Sequence, residues 1–216
     1  MDIKICGLST PETVTAALNG GATHVGFIFF PKSPRNVSPD QAATLRAAAQ
    51  GRAQVVAVTV DADDAALDAI VSTVQPDILQ LHGAETPERV SAVKARYRLP
   101  VMKALSISTA DDLSRARSFA CVADRLLFDA KPPKGAELPG GNGITFDWSL
   151  LAALDGSLPY MLSGGLNASN VGDALARVDP SGLDISSGVE RLPGIKDVSL
   201  IEAFFAAIRS AQQRAA

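Results

Sequence analysis

The C-terminal part of the chain contains Leu162-Ser163-Gly164-Gly165-Leu166 and, soon after it, Leu183-Asp184-Ile185-Ser186-Ser187-Gly188-Val189-Glu190. Each stretch is an apolar run that breaks into a glycine turn before a helical pattern. Backbone N–H groups in such turns, together with a helix N-terminus, can bind a phosphate group. Two such turns at the end of a series of strand–helix units are typical of the phosphate site that many (β/α)8 barrels form after strands seven and eight. We therefore expect a barrel that binds a phosphorylated small molecule.

Short apolar runs typical of strands recur through the chain about every 26 residues, the size of one strand–loop–helix unit. They predict eight strands, Ile3–Cys6, His24–Phe29, Gln54–Val60, Asp77–Leu81, Pro100–Leu105, Arg125–Asp129, Tyr160–Ser163 and Gly182–Ser186. An open doubly wound sheet would show the same alternation, and the sequence does not exclude it. Eight regular units without a dinucleotide fingerprint after strand one favour an α/β fold, a single-domain (β/α)8 TIM barrel over residues 1–216.

Helical patterns lie between these strands, and several begin with a recognisable cap. They predict helices at Glu12–Asn19, Pro39–Ala49, Asp63–Val74, Pro87–Arg96, Ala110–Ser118, Asp147–Leu154, Ala168–Arg177 and Val198–Gln212. The expected N-caps are Thr10, Ser38 and Thr86, each followed by a proline, and Asn167 after the glycine pair. The longest irregular segment, Lys131–Gly143, follows strand six, and its length predicts a mobile cover or a ligand cradle.

Composition excludes several classes of function. The net charge of −3 argues against a nucleic-acid surface, which would carry a basic patch. The chain starts without the features of a signal peptide, and no apolar run reaches membrane-spanning length, so we expect no membrane association. Two cysteines do not form a disulfide framework, and we expect a cytoplasmic protein.

Two residues at predicted strand ends can carry acid–base chemistry. The C-terminal ends of barrel strands share one face, so Cys6 on strand one and Asp129 on strand six are expected to flank a substrate. A thiol there can act as a base when nearby cations or N–H dipoles lower its pKa. Asp129 follows an apolar strand, and burial could raise its pKa so that it acts as a general acid. Cys121, near a helix end, is expected only to pack.

Four further side chains are candidates for binding or support. Arg35 lies in a loop stiffened by two prolines, and its planar fork suits a carboxylate at the barrel mouth, where Lys32 would add positive potential. Gln80 and His82 share strand parity, so both are expected to point inward at the end of strand four. No cluster has metal-ligand spacing, so we predict no metal site.

Two other lysines fall inside the predicted barrel. Lys103 could form a Schiff base with a carbonyl substrate, but we favour a buried, charge-paired packing residue. Lys4 shares the inward parity of Cys6, and Asp184 shares that of Ser186. These parities predict a Lys4–Asp184 ion pair within the barrel.

Taken together, the motifs resemble one family, phosphoribosylanthranilate isomerase of tryptophan biosynthesis. The resemblance covers nearly the whole chain, and its motifs occur in order as Lys4-Ile5-Cys6-Gly7, Gly26-Phe27-Ile28-Phe29, Ser33-Pro34-Arg35-Asn36-Val37, Gln80-Leu81-His82-Gly83, Gly140-Gly141-Asn142-Gly143 with Phe146-Asp147-Trp148, Leu162-Ser163-Gly164-Gly165-Leu166, and Asp184-Ile185-Ser186-Ser187-Gly188-Val189-Glu190. Asn142 stands where threonine is usual and Ser163 where alanine is usual, which affects fine ligand geometry rather than the assignment.

The resemblance implies a cofactor-independent Amadori rearrangement, the reaction of an aldose–ketose isomerase, which is an intramolecular oxidoreductase. N-(5-phosphoribosyl)anthranilate would become 1-(2-carboxyphenylamino)-1-deoxyribulose 5-phosphate. By the same resemblance, Asp129 would protonate the ring oxygen, Cys6 as thiolate would remove the C2 proton, and Arg35 would hold the anthranilate carboxylate. The phosphate would be bound by Gly141, Gly143, Gly164, Gly165, Ser187 and Gly188. Apart from the resemblance, Gln80 and His82 are candidates for a supporting role.

Three alternatives use the same barrel differently. A phosphosugar epimerase would need paired carboxylates and usually a histidine-rich metal site, and neither is visible. A Schiff-base aldolase would depend on Lys103. A noncatalytic phosphoribosyl-binding barrel would not need both Cys6 and Asp129. The sequence does not decide between a monomer and a homodimer.

Overall fold

The computed structural model describes residues 1–131, 135–136, 138–143, 145–153 and 159–215, and at its centre eight parallel strands form a closed barrel. The strands are β1 (Asp2–Cys6), β2 (His24–Phe29), β3 (Gln54–Thr59), β4 (Ile78–Leu81), β5 (Val101–Ile107), β6 (Arg125–Ala130), β7 (Tyr160–Leu162) and β8 (Gly182–Ile185). Each strand pairs with the next, and β8 returns to β1 with Asp184 beside Lys4. The closure confirms the (β/α)8 barrel and excludes the open sheet, which would leave two edges unpaired.

Seven α-helices are found in the described part of the chain. They are α1 (Pro11–Gly20), α2 (Pro39–Ala49), α3 (Asp64–Val74), α4 (Pro87–Tyr97), α5 (Ala110–Ala116), α6 (Val171–Arg177) and α7 (Val198–Ala215). The side chains of Thr10, Ser38 and Thr86 accept backbone N–H bonds at the starts of α1, α2 and α4, which confirms these three N-caps. None of the helices in the described ranges is both long enough and apolar enough to span a membrane.

The predicted N-cap at Asn167 is wrong, because α6 begins three residues later and its N-cap position is Asn170. The Asn167 side chain instead accepts the backbone N–H of Ser169 at 2.8 Å. Asn170 Oδ1 accepts the N–H of Asn167, also at 2.8 Å. These two bonds form a tight turn that competes with the first helical turn, since Asn side chains offer the backbone an alternative to helix.

Three segments depart from the predicted helices and strands. The predicted helix Asp147–Leu154 is a 3-10 helix at Trp148–Ala153, and Leu154 lies outside the described residues. Helix α5 gives way to a 3-10 helix at Arg117–Phe119. After β8 the chain forms a 3-10 turn and then an antiparallel hairpin that was not predicted, with strands β9 (Glu190–Leu192) and β10 (Ile195–Lys196). Strands of three and two residues are too short to show an alternating pattern.

The barrel wall separates two apolar clusters. The larger cluster fills the space between strands and helices, and its largest members include Phe27, Phe128, Phe204 and Phe205. The smaller one fills the barrel interior and consists of Cys6, Val56, Val58, Ile78, Met102, Ala104, Leu127 and Met161. Polar side chains share this interior, among them the predicted ion pair, in which Lys4 Nζ donates to Asp184 Oδ1 at 2.8 Å. The pair is therefore confirmed.

The expectation that Cys121 packs is wrong, because this thiol is exposed. It lies in the turn after the 3-10 helix Arg117–Phe119, where the chain runs along the surface before β6. Cys6 is the buried thiol of the two, and both are free.

The contact between α1 and α7 predicts which glycine the fold cannot replace. A Cβ on Gly20 would lie 2.2 Å from Cδ2 of Phe205, a ring that is only 2% exposed and has no room to move. We expect Gly20→Ala to lower the free energy of unfolding by about 1–3 kcal/mol, the usual cost of overpacking. Chemical denaturation followed by circular dichroism measures it.

Gly172→Ala, in α6, is the matched control. A Cβ there would first meet Arg214 Nη2 at 3.4 Å, an ordinary contact, so this variant should gain about 0.4–1 kcal/mol from reduced chain entropy. Equal stability of the two variants would show that α1 and α7 are not packed as tightly as described.

Candidate active site

A cavity opens at the C-terminal mouth of the barrel. Most of the residues proposed from sequence contribute to its lining, namely Cys6, Arg35, His82, Asp129, Gly141, Gly143, Gly164, Gly165 and Ser187. The described residues of the Lys131–Gly143 loop that line it are 138–143, whereas Pro132 and Pro133 lie outside the described residues. Strand ends far apart in sequence therefore meet at one site, as the barrel rule requires.

Three of the proposed residues lie away from the lining. Gln80 is fully buried beneath His82. A Cβ on Gly188 would lie only 1.9 Å from the carbonyl oxygen of Leu166, so the absence of a side chain allows this close approach. Lys32 is exposed on the loop after β2 and does not border the cavity.

Cys6 lies at the top of the barrel interior, directly above a buried charged pair. Lys4 is two residues earlier on the same inward side of β1, and Asp184, its partner, also accepts a hydrogen bond from Ser163 Oγ at 3.0 Å. Gly26 on β2 provides the space, because a Cβ there would lie 3.1 Å from Lys4 Nζ and 3.2 Å from the Cα of Cys6. The thiol is therefore held next to a buried ammonium group.

Burial dominates the acidity of this thiol and raises the pKa of Cys6 above its ordinary value. The Lys4 ammonium opposes that effect, while the Asp184 carboxylate adds to it. In turn, burial alone would lower the pKa of Lys4, but the negative charge of Asp184 raises it, so the lysine stays protonated. Without a ligand, Cys6 is thus mainly a thiol, although a cation is positioned to stabilise the thiolate.

Asp129 lies near the end of β6 on another side of the mouth and is linked to two polar residues at the C-terminal end of β4, Gln80 within the strand and His82 directly after it. His82 Nε2 lies 3.3 Å from Asp129 Oδ2, and Gln80 Nε2 lies 2.9 Å from His82 Nδ1. Gln80 Oε1 has no hydrogen-bond partner among the described residues. Because an amide can donate through nitrogen or accept through oxygen, Gln80 can match either protonation state of Nδ1.

Two glycines bring backbone close to the Asp129 carboxylate. A Cβ on Gly140 would lie 2.6 Å from Asp129 Oδ2 and 2.8 Å from His82 Nε2, so the loop after β6 passes directly over this pair. A Cβ on Gly164 would lie 3.1 Å from Asp129 Oδ1, which already accepts the N–H of Ala130 at 2.8 Å. The carboxylate is therefore covered on two sides, and only a ligand in the cavity can approach it closely.

Arg35 borders the cavity, but most of its fork is already occupied. Nε and Nη2 donate to the two oxygens of Glu190 at 2.7 and 2.9 Å, and Nη2 also donates to the Gly141 carbonyl at 3.2 Å. The Nε–Nη2 edge of the fork, which suits a carboxylate, therefore binds one that belongs to the protein itself. Nη1 makes no hydrogen bond among the described residues and is the group that remains for a ligand.

The turns after β6, β7 and β8 all border the cavity, and the first of them contacts Arg35 through the Gly141 carbonyl. Gly141, Gly143, Gly164 and Gly165 all have φ between 63° and 89°, a conformation that favours glycine. A Cβ on Gly143 would lie 3.8 Å from Ser187 Oγ, so the first and last of these turns are neighbours. Such turns leave backbone N–H groups free to point at an anion.

Sequence analysis missed Lys196, which is buried and donates to Glu190 Oε1 at 2.6 Å. Burial lowers its pKa to about 8, with Glu190 acting in the opposite direction. Arg35 and Lys196 hold the pKa of Glu190 below its ordinary value, although burial would raise it. A Pro193-Gly194 turn between two short apolar segments was the only available signal for the hairpin that carries Glu190 and Lys196.

Lys103 is a buried, charge-paired residue, as favoured from sequence. Its Nζ donates to Glu85 at 2.8 Å and to the carbonyls of Gly83 and Leu81 at 2.7 and 3.2 Å. An ammonium with all three protons donated is not available as the free amine that an aldolase needs. Within the described ranges, no three His, Cys, Asp or Glu side chains come together as metal ligands would.

Comparison with known proteins agrees with this geometry. The family model for N-(5'-phosphoribosyl)anthranilate isomerase matches residues 3–207. The curated N-(5'-phosphoribosyl)anthranilate isomerase of Brucella canis is 69% identical over 211 residues, which cover 98% of this chain and 95% of the relative.

Two solved structures are similar along their whole length. Phosphoribosyl anthranilate isomerase from Thermotoga maritima has a TM-score of 0.86 at 35% identity and covers 97% of this chain and 99% of its own. A phosphoribosyl anthranilate isomerase in complex with reduced 1-(o-carboxyphenylamino)-1-deoxyribulose 5-phosphate has a TM-score of 0.84 at 33% identity, with the same coverage. The chain belongs to the N-(5'-phosphoribosyl)anthranilate isomerase family.

Proposed function

We propose that Cys6 and Asp129 are the base and the acid with which this isomerase of tryptophan biosynthesis converts N-(5-phosphoribosyl)anthranilate to 1-(2-carboxyphenylamino)-1-deoxyribulose 5-phosphate. The observation that carries the proposal is that both residues line one cavity whose other walls are glycine turns and a buried arginine. Residues 1–216 act as one domain in this proposal, because every assigned group comes from the same barrel.

Ring opening is the first step. Asp129 donates a proton to the ribose ring oxygen, the bond between that oxygen and C1 breaks, and the anthranilate nitrogen forms a C1=N double bond. The nearby His82 supports this transfer, since a proton can be held between Nε2 and Oδ2 over 3.3 Å. On the other side of the His82 ring, the Gln80 amide can bond to Nδ1 whether the imidazole is neutral or charged.

Proton removal from C2 is the second step. The Schiff base is cationic, so it adds a positive charge beside Cys6 and, together with Lys4, favours the thiolate. The thiolate takes the C2 proton, the electron pair forms C1=C2, and the enolamine tautomerises to the C2 ketone. C1 is reduced as C2 is oxidised, so the step is an intramolecular oxidoreduction that requires no external oxidant, reductant or cofactor.

Binding completes the proposal. The turns at Gly141, Gly143, Gly164, Gly165, Ser187 and Gly188 hold the phosphate through backbone N–H groups. Nη1 of Arg35 binds the anthranilate carboxylate beside Gly141, whose carbonyl accepts a bond from Nη2. The ligand is anchored through both of its charged groups while its C1 and C2 lie between the acid and the base.

Replacing the acid or the base should abolish most turnover without unfolding the barrel. We expect Cys6→Ala and Asp129→Asn each to lower kcat by about 10²–10⁴-fold, the usual contribution of one acid–base group. The decrease in fluorescence as the anthranilate adduct is consumed measures the rate. Cys121→Ser, at the exposed thiol, is the control and should keep wild-type turnover. Normal activity in either catalytic variant would refute that residue's role.

The buried thiol should also titrate at higher pH than an exposed one. In a Cys121→Ser background, the ultraviolet absorbance of the Cys6 thiolate should appear at higher pH than that of a small model thiol measured in parallel, because burial raises the pKa of Cys6. Since the deprotonated thiol is the base, kcat/KM, which reports the free enzyme, should increase with pH across the neutral and mildly alkaline range. A Cys6 that ionises below the model thiol would contradict the dominant effect of burial.

Arg35 should act on binding more than on chemistry. Arg35→Ala should raise KM by about 10–100-fold, the value of hydrogen bonds to a charged group, with a smaller change in kcat. Arg35→Lys keeps the charge but not the fork and should recover only part of the loss. Steady-state kinetics at several substrate concentrations separate the two constants. An unchanged KM in Arg35→Ala would refute the proposed contact between Arg35 and the carboxylate.

A further inference from the structure

The hairpin of β9 and β10 carries a carboxylate whose acceptor positions are all occupied. Glu190 Oε1 accepts from Arg35 Nε at 2.7 Å and from Lys196 Nζ at 2.6 Å. Oε2 accepts from Arg35 Nη2 at 2.9 Å and from the Gly194 N–H at 3.2 Å. A carboxylate has about four acceptor sites, so Glu190 cannot also serve a ligand. All of its contacts are with Arg35, Lys196 and Gly194, and with the first two it forms one charged cluster.

The cluster keeps an excess positive charge. Arg35 and Lys196 are both buried and share the one carboxylate of Glu190. In the part of the chain that the structure describes, no second carboxylate contacts the two cations. Two positive charges and one negative charge at a buried site leave one positive charge that an incoming anion can neutralise. Arg35 lines the cavity, and Nη1 is its one nitrogen that makes no hydrogen bond among the described residues.

The hairpin also contacts the two loops that border the cavity. A Cβ on Gly194 would lie 2.5 Å from the carbonyl oxygen of Pro34, so the hairpin turn lies directly against the loop that carries Arg35. Lys196 Nζ donates to the carbonyl of Ser186 at 2.8 Å and lies 3.1 Å from its Oγ. Ser186 directly precedes the turn to which we assign phosphate binding. One hairpin thus contacts both the loop that carries Arg35 and the turn that follows β8.

We propose that Glu190 and Lys196 are positioning residues: Glu190 fixes the Arg35 guanidinium so that only Nη1 faces the ligand carboxylate, and Lys196 connects this arrangement to the turn at Ser186. The inference rests on the proposed role of Arg35. It assigns the hairpin a part in substrate recognition. Because the bidentate contact to Glu190 removes rotational freedom from the guanidinium, the arginine binds a carboxylate without first having to be ordered.

Two ligands that differ only in the carboxyl group test the role of Glu190. The first is reduced 1-(o-carboxyphenylamino)-1-deoxyribulose 5-phosphate, and the second is the same compound made from aniline, without the carboxyl group. We expect Glu190→Gln to weaken binding of the first by about 10–100-fold in titration calorimetry, because one edge of the fork then faces an amide N–H. The second ligand should lose no more than about twofold.

The controls separate recognition from stability. On the surface, Asp68 accepts hydrogen bonds from Nε and Nη2 of Arg96 at 3.1 and 2.7 Å. Asp68→Asn therefore breaks a similar bidentate pair and should not change the affinity for either ligand. Circular dichroism melting verifies folding. If Glu190→Gln unfolds, Glu190→Asp replaces it, because this variant keeps the carboxylate on a side chain that is one methylene shorter. Equal weakening of both ligands, or no weakening of the first, would overturn the role of Glu190.

Lys196 has its own test. Lys196→Met should weaken both ligands, because both carry the phosphate group and Lys196 holds Ser186, and Lys196→Arg should restore part of the affinity. A loss confined to the carboxylated ligand would overturn the connection to the phosphate turn. If wild-type protein binds both ligands equally, the carboxylate role of Arg35 fails. If it binds neither, the proposed function itself fails.

Discussion

The pairing of β8 with β1 is the constraint on which the site depends. It closes the sheet, and its register places Asp184 beside Lys4, so that the two buried charges neutralise each other at the seam. An unpaired ammonium in this position would cost several kcal/mol, and so would an unpaired carboxylate. The same register puts Cys6, two residues beyond Lys4, at the mouth next to the turn that follows β8. The pairing of β8 with β1 therefore both closes the barrel and places the Cys6 thiol at its mouth.

Much of this arrangement could be predicted from sequence because it depends on local patterns. Apolar runs with a regular spacing predicted all eight strands, and the Thr or Ser before a proline predicted three N-caps. The barrel rule then predicted that Cys6 and Asp129 meet, since it converts strand order into spatial proximity. Asn167 misled the prediction because an Asn side chain favours a cap and a tight turn equally well, and only the surrounding chain decides between them.

The electrostatic details could not be predicted in the same way. Arg35 and Glu190 are separated by 155 residues, and no local pattern indicates that one would occupy the fork of the other. Lys196 sits on a strand of two residues, too short for periodicity to show that its side chain is buried. Similarly, burial of Cys6 raises its pKa, and that effect depends on the packed interior rather than on its neighbours in sequence. Charge pairing across a barrel is a property of the closed fold.

The close approach at Gly188 has a mechanical consequence. Because the carbonyl oxygen of Leu166 lies where a side chain at position 188 would be, the turns that follow β7 and β8 interlock. The two turns are therefore in direct backbone contact, with no side chain between them. Among its described residues, the loop after β6 approaches them less closely, since a Cβ on Gly143 would lie 3.8 Å from Ser187 Oγ. We therefore expect the turns after β7 and β8 to move together when a ligand enters, and the contact at Gly143 to loosen first.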